Sequence, residues 1–185
     1  MVSIFAQKMD APALAHTASL ESNASNTSSS SRKKVGSDFI FGAVLGEGSY
    51  STVLHATDTD MNREYAVKML DKKHIIRENK VKYVTVEKKV LHMIRHPLIV
   101  KLYHTFQDTH SLYFVLEYAP NGDLLEYLNK MGRFSVAATR FYIGEIILAL
   151  ECIHENGVIH RDLKPENILL DAEFHIKVSK FNQVN

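Results

Sequence analysis

A single cysteine, Cys152, leaves no partner for an intrachain disulfide in these 185 residues. That excludes the stapled scaffolds of small secreted domains and fits a reducing compartment. Charge of one sign is also lacking: 22 Lys and Arg stand against 21 Asp and Glu, for a net charge of +1. No global field therefore singles out nucleic acid or an anionic bilayer as a partner. No apolar run is long enough to cross a membrane, and the richest, 143–153, is broken by Glu145 and Glu151. The first residues carry no basic leader ahead of a continuous apolar core, so no secretory signal is expected. No internal repeat is visible. What remains is ordinary for a globular protein, with 45% hydrophobic and 23% charged residues in a length suited to one domain or a small two-lobed one. The expected setting is the cytoplasm.

Along the chain the composition changes once. Residues 22–31 are almost entirely Ser, Asn, Thr and Ala, followed by Arg32-Lys33-Lys34. Such a stretch has nothing to bury, and a disordered, solvated tail is expected over 1–36. From Asp38 onward short β-rich runs dominate. Residues 39–45 and 51–57 predict two strands around Gly46-Glu47-Gly48-Ser49-Tyr50, and 64–70 predicts a third. Helical spacing follows over 81–94, with Val84, Leu91 and Ile94 as core positions. Two more strands are expected at 100–106 and 111–117. Beyond Pro120-Asn121-Gly122 the chain turns helical: 123–130, capped near Asn121, then 135–155, with Phe141, Ile147 and Leu150 as core positions and a stop at Asn156-Gly157. Strands first and helices later imply an α+β arrangement of two lobes, 37–119 and 120–185.

Three groups of residues carry chemistry. Gly46-x-Gly48-x-x-Ser51-x-Val53 is a phosphate-loop candidate, because residues without side chains let backbone amides approach a phosphate. Any glycine-containing hairpin looks similar, so the motif alone is weak. A dinucleotide fold would need a helix directly afterwards, whereas residues 51–55 read as a strand. Lys68 lies in Tyr65-Ala66-Val67-Lys68, 20 residues after Gly48, and Glu87 lies 19 residues further along a helix. A lysine that grips phosphates needs a counter-charge to hold it, and a glutamate on a facing helix supplies one. Alternatively, Lys68 is an edge charge and Glu87 a surface partner of Lys88 or Lys89. The third group is His160-Arg161-Asp162-Leu163-Lys164-Pro165-Glu166-Asn167. It places a carboxylate able to accept a hydroxyl proton, a lysine able to neutralise a phosphoryl group, and an amide oxygen able to meet a cation in one short loop.

That octet matches the catalytic-loop pattern H-R-D-L-x-x-x-N, and Tyr65-Ala66-Val67-Lys68 is a version of V-A-I-K. Together with Leu45-Gly46-Glu47-Gly48-Ser49-Tyr50-Ser51-Thr52-Val53, Asp71-Lys72-Lys73-His74-Ile75-Ile76-Arg77-Glu78-Asn79-Lys80-Val81, Lys101-Leu102-Tyr103 and Thr105-Phe106-Gln107-Asp108, the chain resembles eukaryotic protein kinases of the AGC group. Within that group it is most similar to the phosphoinositide-dependent kinases that phosphorylate other AGC kinases. The resemblance covers about 38–178. It implies a two-lobed kinase fold, an antiparallel-sheet small lobe with one main helix, and an incomplete helical large lobe. It also implies ATP and Mg2+ as cofactors and transfer of phosphate to Ser or Thr of proteins.

By the same resemblance, Gly46, Glu47, Gly48, Ser49, Tyr50 and Ser51 form the loop over the phosphates. Leu45, Val53, Ala66 and Leu169 sandwich adenine, with Leu116 as gatekeeper. Glu117 and Ala119 present hinge backbone groups, Asp123 sits near the ribose, and Glu166 and Asn167 lie beside the nucleotide. Asp162, Lys164, Asn167, Lys68 and Glu87 are the implied catalytic set. Lys72, Ile76, Gln107 and Leu112 match a groove that docks the hydrophobic motif of substrate kinases, although Ile76 and Leu112 fit core packing equally well. Lys88 stands where the family has an arginine in that groove, which weakens bidentate anion recognition.

The chain departs from the pattern thirteen residues after Asn167, where Lys180-Phe181-Asn182 replaces Asp-Phe-Gly. Of the family's metal ligands, only Asn167 remains. A lysine cannot ligate a cation, and a lost ligand costs several kcal/mol of transition-state stabilisation. At about 1.4 kcal/mol per tenfold, that is on the order of a thousandfold in rate. With the end at Asn185, an activation segment is not expected in these residues, and the helix over 135–155 is expected to leave apolar surface uncovered. Two assignments besides an active kinase stay open: a nucleotide-binding or docking module without chemistry, and a non-functional product.

Overall fold

The computed structural model describes residues 32–181. Most of the tail expected over 1–36 lies outside the described residues, as does Asn182. The last tail residues are not simply solvated. Arg32 donates to Asp38 through Nη1 at 2.9 Å, and Lys34 bonds both Asp58 at 3.0 Å and Asp60 at 2.8 Å, tying the segment to the first strands.

Five antiparallel strands form the small-lobe sheet in the order β1-β2-β3-β5-β4: β1 (Phe39–Gly48), β2 (Ser51–Asp58), β3 (Arg63–Asp71), β4 (Leu102–Gln107) and β5 (Ser111–Glu117). The period of two sorts β3 between two faces. Tyr65 and Val67 join Phe39, Ala56, Phe106 and Val115 in an outer layer. Leu70 turns the other way, into a layer with Leu112, Phe114, Ile75 and Val84. Lys68 lies on this inner face, opposite Val53 of β2 and Phe114 of β5. Apolar strand residues thus hold one lysine over the cleft.

Two helices cross the sheet. Helix α1 (Lys72–Arg77) is not among the expected elements; Asp71 caps it by accepting from the His74 amide at 2.6 Å. Helix α2 (Val81–Met93) matches expectation, with Val84, Val90 and Leu91 buried. The larger lobe supplies α3 (Leu124–Met131), α4 (Val136–Glu155) and a two-stranded hairpin, β6 (Ile168–Leu170) with β7 (Ile176–Val178), preceded by a 3-10 turn at Pro165–Asn167. The α3 cap is Asp123, which accepts from the Glu126 amide at 2.8 Å, rather than Asn121 as expected. Asn121 instead donates through Nδ2 to the Asp171 carbonyl at 2.6 Å.

The hairpin stitches the lobes together. The Val178 amide donates to the Leu98 carbonyl at 2.8 Å, and Val178 accepts from the Val100 amide at 3.0 Å. Ile99, Leu124, Ile153, Ile168, Leu170 and Val178 share one core. On α4 the sequence misassigned two core positions. Tyr142, Ala149 and Ile153 are buried, whereas Phe141 and Ile147 are 46% and 59% exposed. This helix is apolar around most of its circumference, so spacing alone could not say which face is covered. Leu150 is partly buried against the core, while Val136, Ile143 and Leu148 are exposed with Phe141 and Ile147.

Candidate nucleotide site

Lys68 and Glu87 meet inside the protein. Lys68 Nζ donates to Oε1 of Glu87 at 2.7 Å and to Oε2 at 2.8 Å, and both residues are more than 90% buried. Two oxygens on one ammonium fix it in place and leave one proton free to face an anion. The pair spans β3 and α2, so sheet and helix must be in register for it to form.

Above it, β1 and β2 pair through Gly46↔Val53 and Gly48↔Ser51, after two register shifts between Phe41 and Gly46. A Cβ on Gly46 would meet no protein atom within 4 Å, so the glycine borders open space, as a phosphate approach requires. Ser49 and Tyr50 form the tip. The Tyr50 carbonyl accepts from the Asp71 amide at 3.2 Å and its ring packs on the Leu70 core, which holds the loop over β3. Ala66 shares the inner face with Lys68 and is buried; Val53 and Leu116 are half-buried and Leu45 is exposed.

At the hinge, the Glu117 amide is committed to the Lys101 carbonyl at 2.9 Å. Among the described residues no hydrogen bond takes up the backbone of Ala119. Beyond it, Asp123 forms an isolated bridge with Leu169, bringing the expected ribose and adenine contacts together. Lys177 escaped the sequence reasoning. Its ammonium, nearly buried, reaches the Pro97 carbonyl at 2.7 Å, Glu117 Oε1 at 2.8 Å and Asp171 Oδ2 at 3.7 Å. It clasps the hinge to β7, and an isolated lysine in a short strand gives no sequence sign of that.

The catalytic-loop octet is built around a buried histidine. His160 Nε2 donates to the Ser179 carbonyl at 3.0 Å, and its Nδ1 accepts from the Asp162 amide at 3.3 Å. Burial holds its pKa below the ordinary value, so the neutral ring required by these two bonds persists. Asn167, fully buried, donates through Nδ2 to the Asp162 carbonyl at 2.8 Å and to Asp162 Oδ2 at 3.0 Å. Asp162 keeps a partly open carboxylate, with Lys164 Nζ at 3.8 Å from its Oδ1. Glu166 is exposed beside them. Arg161 and Lys180 adopt positive φ of 62° and 57°, and left-handed backbone at two non-glycine residues costs about 1 kcal/mol or more each. At these two residues the surrounding bonds enforce that geometry.

The fit to a divalent cation is incomplete. Asn167 Oδ1 is buried without a hydrogen-bond partner among the described residues, while Nδ2 is held by Asp162, and such an oxygen suits a hard cation. The companion position holds Lys180, which repels one. Among the described residues no group of three His, Cys, Asp or Glu is arranged to hold a metal. These residues do not make a magnesium site.

The expected docking groove is only partly a surface. Leu112 is 3% exposed within the core, and the Lys72 ammonium, also buried, bonds the Asp108 carbonyl. Ile76 and Gln107 are exposed and Lys88 is half-buried.

A five-stranded antiparallel sheet, a helix glutamate gripping a strand lysine and a strained Asp–Asn loop define a protein kinase fold. The chain belongs to the protein kinase domain family, whose model matches residues 39–184. It is 57% identical over 150 residues to "3-phosphoinositide-dependent protein kinase 1" of Homo sapiens, covering 81% of this chain and 27% of that protein. It is 56% identical over 150 residues to "Putative 3-phosphoinositide-dependent protein kinase 2" of Homo sapiens, covering 81% of this chain and 38% of that protein. To "Serine/threonine-protein kinase ksg1" of Schizosaccharomyces pombe it is 53% identical over 160 residues, covering 86% of this chain and 27% of that protein. The chain thus spans between about a quarter and two fifths of the length of these relatives. Membership implies ATP and a divalent metal for the family at large.

Proposed function

We propose that this chain forms the nucleotide-binding part of a serine/threonine protein kinase, which passes the γ-phosphate of ATP to Ser or Thr hydroxyls of protein substrates, other AGC kinases among them. The single observation that carries the assignment is the buried, two-oxygen contact between Lys68 and Glu87. A buried pair is weak as a source of stability, since desolvation offsets most of its attraction, so its retention is better explained by a ligand that uses the positioned ammonium. Adenine sits between Leu45, Val53, Ala66 and Leu169 with its edge on the Ala119 backbone. Lys68 meets the phosphates under the Gly46–Gly48 turn.

In transfer, the substrate hydroxyl oxygen bonds to the γ-phosphorus as the bond to the β–γ bridging oxygen breaks, releasing ADP. Asp162 takes the hydroxyl proton, and Lys164 offsets charge on the moving phosphoryl group. Asn167 holds the Asp162 carboxylate in position through its Nδ2 contact. Exposed Ile76 and Gln107 support docking of a hydrophobic tail of a substrate kinase beside α1. The single Cys152 supports a cytoplasmic setting.

Lys180 favours a second reading, in which the cleft binds nucleotide while transferring phosphate slowly or not at all. A radiolabelled phosphate-transfer assay with Asp162→Asn as the blank decides between them. Transfer well above the blank supports the kinase; nucleotide-induced thermal stabilisation without transfer supports the binding module. Neither stabilisation nor transfer would overturn both.

A further inference from the structure

We propose that the cleft holds a nucleoside triphosphate without a divalent cation, the ammonium of Lys180 supplying the positive charge that a metal would bring. The inference rests on the nucleotide assignment above and concerns the chemistry of that site.

Three observations carry it. First, the backbone of Lys180 is anchored on both sides, directly beside Asn167. The Ser179 amide and hydroxyl each donate to the Asn167 carbonyl at 2.9 Å, and the Ser179 carbonyl accepts from buried His160. On the other side Phe181 is 1% exposed, with its ring 5.4 Å from that of His160. Residue 180 therefore cannot swing away from the catalytic loop without dismantling this packing.

Second, among the described residues no carboxylate compensates its charge. Of the other lysines near the catalytic loop, Lys68 is matched by Glu87 at 2.7 Å and Lys164 faces Asp162 at 3.8 Å. Lys180 is exposed and has no carboxylate within ion-pair distance among the described residues. A long flexible side chain ending in three donors suits a polyphosphate, and a triphosphate carries the charge to match it.

Third, the same position is hostile to a metal. A dication would lose the carboxylate it needs and gain a fixed positive neighbour, with only the Asn167 oxygen as a ready ligand. One substitution thus removes the cation's ligand and replaces the cation's charge.

The test is calorimetric titration of the chain with ATP, once in EDTA and once in excess Mg2+, for the wild type, Lys180→Asp and Lys180→Asn. Both variant residues tolerate left-handed backbone better than lysine, so neither should strain the fold, and thermal unfolding checks that directly. The wild type is expected to bind ATP with affinities within about fivefold in the two buffers, and Lys180→Asp to weaken about tenfold or more in EDTA and recover in Mg2+. Lys180→Asn should weaken in EDTA with less recovery. A wild type that tightens more than about fivefold on adding Mg2+, or a Lys180→Asp protein that binds in EDTA as tightly as the wild type, overturns the inference and leaves the nucleotide assignment standing. Folded wild-type protein that binds ATP in neither buffer overturns the assignment itself, and the inference with it.

Discussion

Removing the carboxylate of Glu87 should cost the protein both stability and nucleotide, in amounts that separate one from the other. In the wild type the Lys68 ammonium is about nine-tenths buried and its charge is met by two oxygens at 2.7 and 2.8 Å. Glu87→Gln keeps the shape and one acceptor but leaves a buried cation without an anion. Breaking a buried pair from one side costs about 3–5 kcal/mol, and the slight exposure here places the expectation near the lower end, about 3 kcal/mol. With a urea dependence of about 2 kcal/mol per molar, the unfolding midpoint should fall by about 1.5 M. Lys68→Met should also lower stability, because it leaves the buried Glu87 carboxylate without a cation.

The double variant Lys68→Met/Glu87→Leu removes both charges and fills the space with apolar groups. Such replacements are close to neutral, so its midpoint should return to within about 1 kcal/mol of the wild type, a clear departure from additivity. ATP binding should not return with it. A charged hydrogen bond to phosphate is worth about 1.5–3 kcal/mol, or roughly ten- to a hundredfold in affinity, and all three variants lack either the ammonium or the group that aims it. Urea melts by far-ultraviolet dichroism and ATP titration on the same preparations give the two readouts. If the double variant recovers stability and also binds ATP like the wild type, the pair is a structural accident and the functional argument built on it fails. If Glu87→Gln shifts the midpoint by less than about 0.3 M, the premise of a desolvated ammonium is wrong.

Three further outcomes follow from the same geometry. Lys177→Met should lower stability by about 3 kcal/mol in urea melts, because the acidic side chains of Glu117 and Asp171 lose the nearly buried ammonium between hinge and β7; an unchanged midpoint would refute the clasp. Burial depresses the pKa of His160, so the unfolded chain takes up a proton there before the folded one does: the stability from this residue is complete above pH about 6.5 and is lost as pH falls below that, whereas a His160→Asn variant should lack this component of the pH profile. Exposed Ile143, Ile147 and Leu148 on α4 should make the chain self-associate in sedimentation velocity at micromolar concentration, and Ile147→Lys with Leu148→Glu should shift it toward monomer; a wild type that sediments as a monomer would contradict this.

How much of this was legible beforehand depended on whether a residue's role was set by its chain neighbours or by distant ones. The five sheet strands, α2 and the catalytic loop could be located because alternation, helical spacing and a fixed octet are local signals. Lys68 and Glu87 could be paired only because two spacings agreed with each other. The Asp71 cap of α1 was missed because the helix is a short six-residue segment, and β6 and β7 because three-residue strands carry too little periodicity to register. Phe141 and Ile147 were misassigned, and Leu112 was left undecided between groove and core, for one shared reason. An apolar residue announces that it can be buried, but only the packing partner decides whether it is. Leu112 found Leu70, Ile75 and Phe114 and vanished into the core, while Phe141 has only the rings of Tyr142 and His175 beside it and Ile147 stays 59% exposed. Polar residues at the site erred in the opposite direction. The sequence could propose that the Asn167 oxygen faces a cation, but not that its amide nitrogen is held by two Asp162 oxygens, which fixes the side chain with its own oxygen buried and unpaired. Bonds from the Ser179 amide and hydroxyl to the Asn167 carbonyl bring Lys180 next to it, so a residue that breaks the family pattern is anchored as firmly as those that keep it. A position fixed by Ser179 and Phe181 on either side is not a loop end that has drifted, and its lysine should therefore be judged by what its charge does in the cleft.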